Sequence, residues 1–194
     1  MSKSISKWLI PLIVLLVAIV LLVPYVIGSS NSMTRSMNDV EEQLGNVSTQ
    51  LQRRADLIPN LVNSVQADQN QEREIMDSIT SARAGVDKAS TPQEKVEALQ
   101  KEQAAINSGI NVIVENYPNL QSSQRVQELM VQLEGTENRI SVERTKFNEV
   151  AKKYNNLVTV FPRNIIASFT GHNKISYFEN APGTDAAPEV AFNN

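Results

Sequence analysis

The sequence predicts an all-α protein: one N-terminal transmembrane helix followed by an antiparallel up-and-down helical bundle. Three observations carry this. An uncharged run, WLIPLIVLLVAIVLLVPYVI, occupies residues 8–27. Beyond it, apolar residues recur at alternating steps of three and four, the period of an amphipathic helix. Regular strand alternation is absent. With 194 residues, the chain has room for one domain plus attachments at ~100–200 residues per domain. It has no cysteine, which excludes thiolate zinc sites, iron–sulfur clusters, cysteine nucleophiles and a disulfide scaffold. Its 18 basic and 21 acidic side chains leave a net charge of -3, which argues against nucleic acid as a partner.

The first element is the span. At ~1.5 Å per residue, residues 8–27 reach ~30 Å, the thickness of a hydrocarbon core. Pro11 and Pro24 lie near its ends, and Trp8 and Tyr25 stand where interfacial aromatics anchor a helix in the lipid bilayer. A cleaved signal peptide is the competing reading, with Val26 and Gly28 before a cut at Ser29. The apolar run exceeds the ~7–15 residues of such a signal, which favours an uncleaved anchor. Lys3 and Lys7 flank it on one side. No basic residue follows until Arg35, and Asp39, Glu41 and Glu42 come next. The positive-inside rule therefore places residues 1–7 in the cytoplasm and the main domain outside.

Residues 28–32 (GSSNS) read as a polar linker, and residues 33–181 as the bundle. The first stripe is Val40, Leu44, Val47, Leu51, Ile58, Leu61 and Val65, with Arg54 in the gap. It keeps its phase through Ile75, Ile79, Ala82 and Val86, and Pro59 marks a kink. Thr91, Pro92 and Glu94 form a capping box that starts the next helix. Its stripe runs through Val96, Leu99, Gln103, Ile106, Ile110, Ile113 and Tyr117 to a stop at Pro118. A last helix restarts at Ser122 or Ser123. It carries Val126, Leu129, Leu133, Thr136, Ile140, Phe147, Val150, Tyr154, Leu157 and Phe161 before Pro162. Length matching favours four helices, with a break near 66–72; unbroken register favours three long ones. Residues 182–194 read as an extended tail, with Val190 and Phe192 able to pin its end.

QLQRRADLIPNLVNSV at residues 50–65 resembles the signature of the LemA family. So do SARA at 81–84, ENYPNL at 115–120, TENRI at 136–140, KFNEVAKKYNNLVTVFP at 146–162 and PEVAF at 188–192. The resemblance covers nearly the whole chain, in order. It implies a bacterial inner-membrane protein with one N-terminal membrane helix, a four-helix bundle outside it and no enzymatic activity. One branch of the family is associated with building magnetosome membranes, which implies membrane organisation as a theme. The chain departs from the family pattern at residues 66–72, where DQNQE replaces an aromatic- and His-containing stretch, so no role for that His carries over.

Charged residues crowd two places. Arg53, Arg54, Asp56 and Asn60 form one group; Glu137, Asn138 and Arg139 form another, with Glu143 and Arg144 one turn on. Arg54 and Glu143 fall on apolar stripes, and a charge there is costly unless paired. The reading preferred is a buried polar network that fixes helix register, with Arg54 meeting Glu143 first and Glu137 second. A ligand pocket is the competing reading. His172, the sole histidine, lacks partners for catalysis or metal binding and follows Gly171 at a helix end. The apolar run at residues 165–169, with Tyr177 and Phe178, suits packing over the bundle's end or contact with a membrane. The function expected is a non-enzymatic, membrane-anchored envelope scaffold or adaptor without cofactor or metal. Its partners would be the lipid bilayer, itself as a homo-oligomer and other membrane proteins. The alternative is an extracytoplasmic sensory or ligand-binding domain.

Overall fold

The computed structural model describes residues 9–65, 69–117 and 123–179; Trp8, the flank 1–7 and the tail 182–194 fall outside them. The described residues are all-α: α1 (Leu9–Ala55), α2 (Ile58–Val65), α3 (Gln69–Lys88), α4 (Pro92–Asn116), α5 (Gln124–Thr159) and α6 (Arg163–Thr170). No strand occurs among them.

Residues 28–32 are not a linker. They are helical inside α1, which runs 47 residues through Pro24. Glycine and serine cost a helix only about 0.5–1 kcal/mol each, and packing outweighs that here: Ser29 is 4% exposed and Met33 is fully buried. The Thr34 hydroxyl and the Arg35 side chain also bond back to the carbonyls of Ser30 and Asn31. The first long stripe is interrupted after Ala55. α1 ends at Ala55 because Pro59 can give that carbonyl no N–H and its ring collides with it. Leu57 instead closes a tighter turn on Arg54 (3.2 Å). α2 then ends at Val65 and α3 begins at Gln69, on either side of residues that lie outside the description.

The chain divides into two compact units. The first holds residues 1–42 and 150–175. The large apolar side chains described from Leu9 to Ile27 are exposed in it, whereas Ser29, Met33 and Val40 are buried. From α5 it buries Ala151, Tyr154, Asn155 and Val158, and from α6 Ile166 and Ala167. Asn155 grips the extended residue Ile175 twice, accepting from its N–H (2.9 Å) and donating to its carbonyl (2.8 Å). Gly171 ends α6 at φ 76°, a left-handed geometry that glycine adopts without a Cβ clash. His172 bonds Thr170 (2.8 Å) and lies beside the Tyr154 ring.

The second unit holds residues 43–149 and 176–194. Leu44, Val47, Leu51, Ile58, Leu61, Leu99, Ile106, Ile113, Ile140 and Phe147 form its core, each at most 1% exposed. α3 lies along α4. Gly109 permits the close approach: a Cβ there would stand 2.8 Å from Ile75 Cγ2. Thr91 caps α4 with a complete capping box, its hydroxyl taking the Glu94 N–H while Glu94 reaches back.

The expected stripe of α5 holds from Val126 to Phe147, then steps aside. Ala151, Tyr154, Asn155 and Val158 are buried, while Val150 and Leu157 are only partly covered and Phe161 is 75% exposed. A seven-residue repeat drifts ~20° per heptad on a straight helix. Over 36 residues the buried face has moved on by about one position.

Candidate functional site

The site grows from one misplaced charge. Three residues after Leu51 on the buried face of α1, Arg54 is 8% exposed. A guanidinium there needs partners, because an uncompensated buried charge is the costly state. Its Nη1 donates to Asn107 Oδ1 on α4 (2.8 Å) and to Glu137 Oε2 on α5. The second Glu137 oxygen accepts from Gln103 Nε2 (3.1 Å), and Gln103 Oε1 accepts from Arg144 Nη1 (2.9 Å). Arg144 Nη2 donates to the Glu179 carbonyl, and the guanidinium lies 5.1 Å over the Phe178 ring. Helices α1, α4 and α5 and the extended segment at residues 176–179 are thereby joined in one polar clasp.

Burial pushes the Arg54 guanidinium down from its ordinary value, opposed by the charge and hydrogen bond of Glu137. Arg144 is lowered in the same way by burial, against the pull of Glu137 and Glu179. Arg54 Nε has no hydrogen-bond partner among the described residues.

The segment after Ser176 is held as a strand is held, but by side-chain amides. Phe178 donates its N–H to Asn148 Oδ1 (2.9 Å) and accepts from Asn148 Nδ2 (3.0 Å). Ser176 is paired with Gln93 through its N–H (2.7 Å) and hydroxyl (2.8 Å). These amides satisfy backbone groups that have no ladder. The Phe178 ring is 3% exposed and meets Phe147 edge-on, centroids 4.9 Å apart.

Several expected site residues stand elsewhere. Glu143 does not reach Arg54; it pairs with Lys146 on its own helix (2.8 Å). It sits six positions along α5 from Glu137, an offset of ~9 Å, and Arg54 is committed at the Glu137 level. Asp56 is exposed and accepts from Gln52 (2.6 Å). Asn60, Asn138 and Arg139 are exposed as well. Tyr25 lies on the exposed apolar stretch at 41%. Sequence reasoning missed Asn107, Gln93 and Asn148, whose exposed-looking amides carry no pattern. It also missed Glu102, which is 3% exposed on α4. Burial pushes its carboxyl up, Arg83 pulls it down and Asp87 adds to the rise. A groove of about 600 Å³ runs along α3 and α4, with Ser81, Gly85, Lys88, Glu94, Glu97 and Lys101 on its walls.

Chemically, apart from Arg54 Nε, the clasp pairs side-chain donors with acceptors among the described residues. It is suited to holding three helices and a strap in one register.

A family model described as "LemA family" matches residues 43–192. Over 73 residues, 38% of this chain, the sequence is 37% identical to magnetosome protein MamQ of Magnetospirillum gryphiswaldense. Over the same length it is 36% identical to magnetosome protein MamQ 2 of Paramagnetospirillum magneticum. The chain spans 27% of the length of these relatives.

Proposed function

The chain belongs to the LemA family, and on that footing we propose that it is a non-enzymatic, single-pass scaffold or adaptor of the bacterial cell envelope. Its helices form an up-and-down bundle on the outer side of the inner membrane, with the N-terminus in the cytoplasm. It assembles with itself and with other membrane proteins and organises the bilayer around them. The likeness to magnetosome proteins supports a role in membrane organisation. The observation that carries the reading is α1, a single 47-residue helix bearing both the apolar stretch and the buried stripe through Leu51. The stretch before Gly28 is long and apolar enough to cross a membrane. Crosslinking of detergent-extracted full-length protein, sized by light scattering, tests the assembly. Discrete oligomers support it, and a monomer at high concentration removes self-assembly.

The groove along α3 and α4 favours a second reading, an extracytoplasmic ligand-binding domain. Its small-residue floor and its mixed charges at Lys88, Glu94, Glu97 and Lys101 suit a zwitterionic small molecule. Thermal-shift screening of such compounds against the intact protein, with a Gly85→Leu control, separates this reading from the first.

A further inference from the structure

We propose that α6 is an interfacial element: Ile165 and Phe169, with Val160 and Phe161 just ahead of the helix, insert into the bilayer surface beside the N-terminal span. The inference rests on the anchor reading above and adds a second membrane contact. These four side chains are 49%, 88%, 57% and 75% exposed. Single exposed apolar residues are ordinary, but a cluster of four in ten positions marks an interaction surface. Ile165 and Phe169 stand four apart on one face of α6. Ile166 and Ala167 are buried, at 8% and 2%. The short helix is therefore pinned by one apolar edge while it presents another outward.

Its place along α1 identifies the occupant. α6 belongs to the compact unit made of residues 1–42 and 150–175. In that unit α1 changes from exposed at Ile27 to buried at Ser29 and Met33, and residues 150–175 are the other chain the unit offers to cover them. Cover thus begins within two residues, ~3 Å of helix rise, of the end of the apolar stretch. That is the level at which hydrocarbon gives way to headgroups. The charge agrees. Residues 150–175 carry Lys152, Lys153, Arg163 and Lys174 and no acidic side chain. An apolar edge flanked by basic residues fits a surface containing anionic lipid. A second copy of the same face would oppose basic to basic.

The test uses full-length protein carrying Trp8→Phe and Phe169→Trp, which leaves one indole. It is reconstituted into vesicles of phosphatidylcholine and phosphatidylglycerol and checked by flotation. Brominated acyl chains should remove most of the indole emission, while aqueous iodide should have little effect. Val131→Trp with Trp8→Phe and native Phe169, at a position 67% exposed on α5, should show the reverse. Emission quenched by iodide and spared by bromolipid overturns the inference. So does blue-shifted emission spared by both quenchers, which would place the ring on another protein surface. Protein that does not float overturns the anchor reading and this inference together, whereas floating protein with an iodide-quenched indole overturns this inference alone. Ile165→Trp repeats the measurement should Phe169→Trp misfold.

Discussion

Arg54 and Glu137 show how one buried charge selects its partner by level along a helix. Both could be named from the sequence as members of a polar network, Arg54 because it interrupts an apolar stripe. The sequence reading ranked Glu143 ahead of Glu137, and the structure reverses that order: the choice depends on how far α1 and α5 are offset, and no local pattern encodes that. The amides at Asn107 and Gln103 complete the clasp, and only Gln103 betrayed itself, by sitting on the stripe of α4. A double-mutant cycle on Arg54→Met and Glu137→Leu should give a coupling of about 1 kcal/mol, in the lower part of the 0.5–3 kcal/mol range for contacting pairs. The low value follows from the Glu137 side chain being 37% exposed and screened. Arg54→Met with Glu143→Leu should be additive. The reverse pattern in chemical denaturation would contradict the geometry.

Tyr154 offers a pH test at the same scale. It is fully buried, and its hydroxyl has no partner among the described residues. Burial pushes the phenol up to about 12. The folded value lies above the unfolded value of ~10, so the fold favours the neutral form. Stability from this group is complete below about pH 10 and is lost as pH rises through about 12. Tyr154→Phe should remove that alkaline loss. It should also be neutral or stabilising at pH 7, because an unsatisfied buried hydroxyl costs ~1–3 kcal/mol. A destabilised Tyr154→Phe protein would show that the hydroxyl has a partner.

The helix starts were more legible than the helix ends. Thr91, Pro92 and Glu94 announce α4 by chemistry that is complete within four residues, and the cap forms as read. Thr91→Ala should cost ~0.5–2 kcal/mol in thermal unfolding, and Ser90→Ala, outside the box, should cost much less. Equal effects would mean that the box carries no energy. Pro59 likewise signalled a disruption, and the chain breaks three residues before it. The linker at residues 28–32 was misread because its composition is loop-like. Its helicity comes from tertiary burial of Ser29 and Met33, which composition does not express. The end of the α5 stripe was misread for a geometric reason. Steps of three and four fit a supercoil, and the drift of a straighter helix moves the buried set from Leu157 and Phe161 to Asn155 and Val158. Phe161, two residues past the end of α5, is exposed near Ile165 and Phe169.

For the whole molecule, the all-α class and the apolar N-terminal helix were legible because both rest on periodicity and length. The strap at residues 176–179 was not, since an extended segment gripped by Asn148 and Gln93 has no period and no cap. On the proposed reading, α1 crosses the membrane and the helices after it lie on the far side. The chain has no cysteine, so Ser4→Cys and Val131→Cys each supply a unique thiol. A membrane-impermeant maleimide applied to intact spheroplasts should label the cysteine at position 131 and spare the one at position 4, with both labelled after lysis. Labelling at position 4 alone would contradict the account by placing the helical body in the cytoplasm.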